Sequence, residues 1–573
     1  MTIPTGEVPP TRGATSTGGA PPTGGETSTG KATPNGGATS TGGETFTGKA
    51  TPNGGATSTG EATAPRAPGS AMARGSGSES LTELGRYLAL VAPPLLTFVV
   101  TLWGITASSY WRDEAATLVA VQRPFGQLLR MLGNIDAVHG AYYVIIWVVV
   151  RLGGTGELVV RLPSALAMAV AAAAVAAIGR RLVSSRAGLF SGLVFAVLPA
   201  TSYYAQDARA DATAVGVAAV ATYLLVRILQ DGGITRRWLI LYGACLTALG
   251  LIDILGLLLI AAHAVAIAAA AVRQKDHAAR RALVVRWLIA VAVALVLVSP
   301  LGWLVFHQRA AVVSWVAPLS AHSLRGLAGL VAPKFGQRNL QLPFALGLVA
   351  VVGFGLLISA AGGRAWLRRC WPPDFAAICW PWLIVPPVLL AAISVLEPIY
   401  TVRYVLFCLP AVALIVGAAL AALGRVAGAV LLVGIVLLGL PQQHSMRRPG
   451  GHGENIRRAD HIVANVMHPG DAAIFHNASV VPASWSYAYP FGFAQLRDIS
   501  QAQTPVQSGT LNGTLASAAV VRQRLSRLSR VWVVDLNYRR GAAPTLHSAG
   551  FRLVHMWQIH DVWLFLYTRG TGT

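Results

Sequence analysis

The sequence predicts a polytopic α-helical membrane protein of about eleven transmembrane helices, followed by a small C-terminal soluble α/β domain. Of the 573 residues, 54% are hydrophobic and only 12% are charged, and the mean hydropathy is +0.55. A soluble domain usually has about twice that charged fraction. Several apolar runs approach or exceed the roughly 20 residues that are needed to cross a bilayer. The last 130 or so residues are more polar and lack such runs.

Residues 1–86 consist almost entirely of Gly, Thr, Ser, Pro and Ala, and an 18-residue unit that starts at Gly24 returns at Gly42 with Phe46 in place of Ser28. A segment with so few large apolar side chains cannot offset the entropy of ordering by burying a core. We therefore expect residues 1–86 to be a disordered cytoplasmic tail. Their composition does not indicate a function.

The transmembrane domain is predicted over residues 87–441. Its predicted spans are 88–107, 160–179, 187–203, 210–229, 238–253, 254–272, 284–305, 342–361, 376–396, 403–423 and 425–441. With eleven spans and a cytoplasmic N-terminus, the basic short loops fall inside, as the positive-inside rule requires. The loops 108–159 and 306–341 and the C-terminal domain then lie outside. A single helix over 238–272 would invert everything that follows.

The net charge of +22 does not indicate a nucleic-acid partner. In residues 1–86 six basic and six acidic residues cancel, so the excess belongs to the rest of the chain. Much of it lies in short loops between predicted spans, where anionic lipid is the expected partner. We predict a multi-pass protein of the cytoplasmic membrane.

The first external loop contains two apolar segments that are too short to cross. Phe125, Leu128, Leu129 and Leu132 recur at helical spacing on one face. The stretch from Tyr142 to Arg151 is also apolar. Both segments are expected to lie on the outer leaflet as interfacial helices.

Residues 442–573 are predicted to form the extracytoplasmic α/β domain. The segment 454–463 has a helical pattern, and 472–476, 531–535 and 562–567 have strand patterns separated by turns. We expect this domain to guide the acceptor substrate.

The first candidate for chemistry is the acidic pair Asp113 and Glu114, a few residues beyond the first span. A loop aspartate beside an arginine is often only a solvated ion pair. At a membrane boundary, however, Asp113 could accept the proton of an attacking hydroxyl group. Glu114 would then orient Asp113 or bind the acceptor.

Two further groups lie in predicted external loops. Asp136 and His139 could hold a lipid phosphate or contribute to a divalent metal site, although one His and one Asp are too few ligands to establish a metal. Asp207 and Arg209 lie in the turn between the third and fourth spans. Ionisable residues at such a boundary are functional candidates. A hydrated turn with an Asp–Arg pair is the competing interpretation.

The last group, Tyr400, Arg403 and Tyr404, lies where the tenth span begins. Arginine suits phosphate because its planar fork donates hydrogen bonds in pairs and stays charged. An arginine that reaches the interface by snorkelling is the ordinary alternative.

These motifs together resemble a known family. They are Trp111-Arg-Asp-Glu-Ala, Asp136-x-x-His-Gly-Ala-Tyr-Tyr, Arg161-Leu-Pro-Ser-Ala-Leu and Pro398-x-Tyr-x-x-Arg-Tyr. They are similar to motifs of bacterial protein O-mannosyltransferase-like and aminoarabinose-transferase-like enzymes, which are membrane glycosyltransferases of the C superfamily. The resemblance covers roughly residues 90–440. It implies a polyprenyl-phosphate-linked sugar donor, Asp113 as base, and His139 and Arg403 near the donor phosphate.

The chain departs from the family pattern at two places. Relatives commonly have His-Pro-Pro-Leu-Tyr-Tyr where this chain has Gly140 and Ala141 after the histidine, and the turn at 206–211 lacks the tyrosine that often follows its arginine. Both departures concern the identity of donor and acceptor more than the reaction class.

The sequence therefore predicts an inverting transfer of a sugar from polyprenyl phosphate to an acceptor hydroxyl at the outer face of the membrane. Mannose is the first expectation by family association, followed by arabinose and aminoarabinose. The acceptor could be a protein, a cell-wall glycan or a glycolipid. The alternatives are a transporter or flippase of a lipid-linked saccharide, whose charges would be expected in mid-membrane, and a membrane scaffold without catalysis.

Overall fold

The computed structural model describes residues 76–231, 236–313, 316–320, 326–333, 341–359, 369–475, 484–536 and 543–570. It confirms a helical membrane protein with a small C-terminal domain that contains strands. The tail repeats, and Arg364 and Arg368 of the last basic loop, lie outside these residues.

The membrane body and its first loop are formed by fifteen α-helices within the described part of the chain. These are α1 (Ser76–Leu102), α2 (Arg112–Val121), α3 (Phe125–Asn134), α4 (Gly140–Gly153), α5 (Glu157–Leu182), α6 (Ser185–Val197), α7 (Pro199–Ala205), α8 (Ala210–Gln230), α9 (Arg236–Ile252), α10 (Leu259–Arg273), α11 (His277–Val313), α12 (Gln341–Ser359), α13 (Pro373–Leu396), α14 (Leu409–Ala422) and α15 (Arg425–Met446). Short 3₁₀ helices at Ala137–His139, Ile254–Leu258, Gly326–Leu330 and Val402–Cys408 connect or extend them.

Each of the eleven predicted spans coincides with a helix or a pair of helices. The span at 187–203 is a pair, α6 and α7, which meet at an angle of 60°. The segment 238–272 is also a pair, α9 and α10. Asp253 lies between them and caps the 3₁₀ helix Ile254–Leu258, which leads into α10, by accepting a hydrogen bond from the Leu255 amide. Among the described residues, seven helices are long and apolar enough to cross a bilayer, or eight with the bent pair. The number eleven therefore stays a prediction.

The central helices approach one another at small residues. A Cβ atom on Gly417 of α14 would overlap the backbone of Ser191 in α6, and one on Gly188 of α6 would overlap the carbonyl oxygen of Ala176 in α5. Small side chains let membrane helices pack backbone to backbone, because van der Waals contact rather than the hydrophobic effect holds them together in lipid. Helices α5, α6 and α14 thus form the rigid centre that supports the site described below.

Replacing Gly417 by alanine should destabilise this centre by about 1–3 kcal/mol, the usual cost of overpacking. Gly434 in α15 is the matched control, since a Cβ atom there meets nothing within 4 Å. Thermal unfolding of the purified protein in detergent should show a lower Tm for Gly417→Ala than for Gly434→Ala. Equal melting temperatures would contradict the packing described here.

The loop between α1 and α5 contains the short helices that the periodicity predicts. In α3 the side chains of Leu128 and Met131 are buried, whereas Phe125 and Leu129 are exposed. The apolar stretch from Tyr142 is α4. The amphipathic character of α3 is therefore confirmed, and its place on the outer leaflet stays a prediction.

The C-terminal domain is a mixed sheet with helices. After α16 (Ile456–Val466), its elements are β1 (Ala472–Phe475), α17 (Trp485–Ala488), β2 (Arg497–Asp498), β3 (Gln501–Gln503), α18 (Pro505–Ser508), β4 (Thr514–Leu515), α19 (Ala518–Leu525), β5 (Arg530–Leu536), α20 (Ala543–Ser548), β6 (Phe551–Ile559) and β7 (Val562–Arg569). The strand order is β2-β1-β5-β7-β6, with β1 parallel to both of its neighbours and β7 antiparallel to both of its own, and β3 pairs with β4 in a separate sheet. The helix and the three strands that the sequence predicts are present, although His476 lies outside the described residues.

The C-terminal domain packs directly on the first loop. The amide of Ser109 donates to the Pro449 carbonyl at 2.9 Å, and the amide of Tyr110 donates to the Tyr489 hydroxyl at 2.9 Å. Farther along the loop, the Gln122 side chain donates to the Tyr487 carbonyl at 2.8 Å. The loop is therefore held between the C-terminal domain on one side and the helical bundle on the other.

Candidate active site

Asp113 lies in the first turn of α2, where the helix dipole favours a negative charge. Its Oδ2 atom accepts a hydrogen bond from Nη1 of Arg403 at 3.0 Å and lies 3.9 Å from Nη2 of Arg209. The side chain is 28% exposed. The structure thus brings Asp113 next to Arg403 and Arg209, which the sequence offered as separate candidates, and the role of Asp113 as base stays a prediction.

Glu114 points away from Asp113, because successive residues of a helix are about 100° apart around its axis. It is fully buried, and its carboxylate oxygens accept hydrogen bonds from Nε and Nη2 of Arg161 at 2.8 and 2.7 Å. The amide of Ala208 also donates to it at 2.9 Å. These contacts fix the start of α2 against α5 and the turn after α7. That Glu114 orients Asp113 or binds an acceptor stays a prediction.

Arg403 bridges two carboxylates. Besides Asp113, its Nη2 atom donates to Oδ2 of Asp211 at 3.2 Å, at the beginning of α8. The arginine begins the 3₁₀ helix that leads into α14, and the packing of α14 against α6 fixes the position of that helix. Three segments that are far apart in the sequence therefore converge on one guanidinium group.

Arg209 starts a second chain of contacts. Its Nη2 atom lies 2.9 Å from Nε2 of His139, whose Nδ1 atom lies 2.9 Å from Oδ1 of Asp136. Since arginine can only donate, Nε2 of His139 accepts, and Nδ1 carries the ring proton and donates to Asp136. Tyr143 donates its hydroxyl to the second oxygen of Asp136. The pair Asp136 and His139 and the residue Arg209, which were predicted in two different groups, thus form one connected group.

Electrostatics keep Asp113 ionised. Burial by itself raises the pKa of the Asp113 carboxyl, but the positive charges of Arg209 and Arg403 outweigh it, and the pKa lies below its usual value. Burial likewise raises the pKa of Asp136, but the contacts with His139, Arg209 and Tyr143 outweigh it, and the pKa of Asp136 lies below its usual value. Two carboxylates at this surface are therefore charged at neutral pH.

Asp207 behaves in the opposite way. It is 1% exposed, and Trp111 donates its indole N–H to Oδ1 at 3.0 Å. Burial, followed by the negative charges of Glu114 and Asp211, raises the pKa of Asp207 well above its usual value. Asp207 therefore binds a proton more readily than Asp113 does.

Two cavities meet at Arg403. The first has a volume of about 350 Å³ and is called the apolar cavity. Its apolar lining consists of Ile252, Ile254, Leu255, Val305, Phe306 and Ile399 among others, and its polar lining includes His139, Asp211, Asp253 and Tyr404. The second, of about 410 Å³, is called the aromatic cavity; it is lined by Trp111, Tyr203, Tyr204 and Tyr400, with Asp207 beside them. Arg403 lines both.

Two important residues were not among the sequence predictions. Glu454 of the C-terminal domain is buried, and it accepts hydrogen bonds from the amide and from Nε of Arg112. Gln308 of α11 accepts from the Ala137 amide at 2.9 Å. Both contacts join residues more than 150 positions apart, so no local pattern could have indicated them.

No metal centre is evident in the part of the chain that the structure describes. There, His, Cys, Asp and Glu side chains do not come together in groups of three or more that could hold a metal ion.

Comparison with known proteins identifies the fold. Residues 140–303 match a family model described as dolichyl-phosphate-mannose-protein mannosyltransferase. The crystal structure of ArnT from Cupriavidus metallidurans in the apo state aligns with a TM-score of 0.54 at 14% identity, over 86% of this chain and 98% of that chain. The same protein bound to undecaprenyl phosphate aligns with a TM-score of 0.54 at 14% identity, over 85% and 98%. A comparison with curated proteins finds no match.

The chain therefore has the fold of ArnT, and part of it matches the mannosyltransferase family model. The family match includes Arg209 and Asp211, whereas Asp113 and Arg403 lie outside it. The structural alignment spans most of the chain at low identity, so it shows a shared fold and not the roles of single residues. Those roles rest on the geometry of the site.

Glu114→Gln should reduce the free energy of unfolding by about 3–5 kcal/mol, because it leaves the buried charge of Arg161 without its counter-ion. Glu397→Gln is the matched control, since Glu397 and Arg309 form a pair at 3.4 Å whose side chains are 46% and 44% exposed. Exposed pairs contribute about 0–1 kcal/mol. Thermal unfolding in detergent distinguishes the two variants. A Glu114→Gln protein as stable as the Glu397→Gln protein would show that the buried pair does not hold α2 in place.

Proposed function

We propose that this protein is a membrane glycosyltransferase that moves a sugar from a polyprenyl-phosphate donor to an acceptor hydroxyl group at the outer face of the cytoplasmic membrane. The observation that carries the proposal is the ionised Asp113, which is paired with Arg403 and lies 3.9 Å from Arg209, while Arg403 lines both the apolar and the aromatic cavity. The fold shared with ArnT, one structure of which contains undecaprenyl phosphate, supports it.

The apolar cavity fits the lipid-linked donor. Its wall is formed by aliphatic and aromatic side chains from α9, α11 and the segment before α14, which suits a prenyl chain. At its polar end are Arg403, Tyr404 and His139, with Arg209 within hydrogen-bonding distance of the histidine. Guanidinium groups are the preferred partners of phosphate oxygens. The donor therefore binds with its phosphate at the arginines and its sugar towards Asp113.

The reaction is a direct displacement. The acceptor oxygen attacks the anomeric carbon from the face opposite the phosphate, and Asp113 takes the hydroxyl proton as that bond forms. The bond between the anomeric carbon and the phosphate oxygen breaks, and the phosphate leaves with the electron pair. Arg403 and Arg209 stabilise the charge that develops on it. One displacement inverts the anomeric configuration.

The donor also prepares the base. Without donor, Arg403 donates to Asp113, and this contact lowers the basicity of the carboxylate. A phosphate group competes for the same guanidinium and shifts its hydrogen bonds away from Asp113. The carboxylate then becomes a better proton acceptor at the moment when a donor is in place.

Mannose is the proposed sugar, and the match to a mannosyltransferase family model supports it. Arabinose and aminoarabinose are the next candidates, and ArnT-like fold similarity is compatible with either. Purified protein should be incubated with a panel of polyprenyl-phosphate sugars, and the consumption of each should be followed. Uptake of intact lipid-linked sugar into vesicles without its consumption would indicate a flippase instead.

Asp113→Asn should reduce the turnover number by a factor of about 10²–10⁴, the usual contribution of a general base. The fold should persist, because Asn has nearly the same shape and Arg403 keeps its hydrogen bond to Asp211. Transfer from the radiolabelled donor and the Tm should both be measured.

Asp374→Asn is the matched control for Asp113→Asn. Asp374 is 61% exposed, pairs with Arg273, and lies at the other end of α13 from the segment that leads to Arg403. Its substitution should leave transfer unchanged. Full activity in a folded Asp113→Asn protein would remove the proposed base.

The pH dependence follows from the lowered pKa of Asp113. Its carboxylate form is present above the folded-state pKa, so the acid limb of kcat/KM should lie at a lower pH than the ordinary pKa of an aspartate. In Arg209→Gln a favourable charge is lost while the effect of burial remains, so the acid limb should move to higher pH. The exposed Arg273→Gln is the control and should not move it. An unshifted limb in Arg209→Gln would show that another group titrates.

A further inference from the structure

The aromatic cavity has a lining that the donor does not explain. Trp111, Tyr203 and Tyr204 contribute aromatic rings to its lining, and Tyr400 and Asp207 contribute polar groups. It is separated from the apolar cavity by Arg403, which lines both. Its volume of about 410 Å³ is within the usual range of small-ligand sites.

Three residues that line this cavity have a buried polar atom without a hydrogen-bond partner within the described protein. One is Arg403, through Nε, although its other nitrogens donate to Asp113 and Asp211. The other two atoms are the hydroxyl of Tyr400, a residue that is 6% exposed, and Oδ2 of Asp207, a residue that is 1% exposed. Buried polar atoms are nearly always paired, so each exception requires an explanation. A ligand with its own hydroxyl groups would provide the missing partners.

We propose that the aromatic cavity is the acceptor subsite and that the acceptor is a neutral, hydroxyl-rich glycan, held by Tyr400 and Asp207 against the faces of Trp111 and Tyr204. This inference rests on the proposed glycosyltransferase function. Sugar rings present apolar C–H faces, which pack on aromatic rings, and hydroxyl groups, which donate and accept in the ring plane. The lining offers both kinds of surface side by side.

The placement of the subsite suits the reaction. Trp111 lies two residues before Asp113, and its indole N–H donates to Asp207. Arg403 joins the cavity to Asp113, since it lines the cavity and donates to that carboxylate at 3.0 Å. A glycan bound in the aromatic cavity can therefore present a hydroxyl group to the base, with the donor phosphate on the other side of Arg403.

The charge of Asp207 favours a neutral ligand. Burial and the neighbouring carboxylates raise its pKa, which favours the protonated carboxyl group over the carboxylate, and a protonated carboxyl group can both donate and accept. Vicinal sugar hydroxyls also donate and accept, and they match such a group. The serine or threonine of a peptide acceptor offers only one hydroxyl group, which would leave the other polar atom without a partner. A glycolipid acceptor requires a second apolar channel for its lipid, whereas the lining of this cavity is mainly aromatic and polar.

The test combines two conservative variants and one matched control. Tyr400→Phe removes only a hydroxyl group that has no partner within the described protein. Asp207→Asn replaces a carboxyl group whose pKa is raised by burial with a neutral amide of nearly the same shape. Neither substitution should therefore lower the Tm. Tyr404→Phe makes the same chemical change on the apolar cavity. The KM values for neutral oligosaccharide acceptors and for the donor should be measured separately, together with direct binding of the oligosaccharides without donor.

We expect Tyr400→Phe and Asp207→Asn each to weaken oligosaccharide binding and to raise the KM for the oligosaccharide acceptor roughly tenfold. The KM for the donor should change little. Tyr404→Phe should change the donor KM and leave oligosaccharide binding unchanged. Unaltered oligosaccharide binding in both subsite variants would overturn the inference.

The panel should also contain serine- and threonine-containing peptides and glycolipids. If the donor is consumed but only peptides or glycolipids accept the sugar, the glycan subsite is refuted while the glycosyltransferase function stands. If no polyprenyl-phosphate sugar is consumed with any acceptor, the proposed function fails, and the direct binding measurement still reports on the cavity.

Discussion

The buried ion pair between Glu114 and Arg161 is the contact on which the site depends. Both side chains are fully buried, and Arg161 also donates to backbone carbonyls of the loop, including those of Ile105 and Ser109. A buried charge without a partner is costly, so the pair permits only one placement of α2 against α5. Because Asp113 is the neighbour of Glu114, that placement also sets where the proposed base can reach.

Three consecutive residues at the start of α2 are held by three different parts of the molecule. Arg112 is bound by Glu454 of the C-terminal domain, Asp113 by Arg403 and Arg209, and Glu114 by Arg161 of α5. The C-terminal domain therefore does more than cover the site, because its contact with Arg112 fixes the backbone directly before the base. Such preorganisation keeps the reacting groups in place without reorganisation during catalysis.

The sequence predicted the classes of element and the candidate residues better than the contacts between them. Apolar runs and the spacing of Leu128 with its neighbours are local patterns, so the helices and the amphipathic α3 could be found. Asp113, His139, Arg209 and Arg403 were chosen as candidates from their places at predicted membrane boundaries and, except for Arg209, from their match to a family's motifs, and their roles stay proposals. No local pattern records how distant segments pack. The sequence therefore did not indicate the pairing of these residues, the burial of Glu114 or the contact between Arg112 and Glu454.

The arrangement of charges explains how one pair of arginines could serve both ends of the proposed reaction. Before transfer, Asp113 carries one negative charge and the phosphodiester of the donor carries another. As the acceptor proton moves to Asp113, that charge disappears, and the leaving phosphate gains one. Arg403 and Arg209, which hold Asp113 within 3.0 and 3.9 Å, therefore face the same total charge throughout. In a site of low dielectric, moving a charge between two points that share the same counter-ions costs much less than creating it.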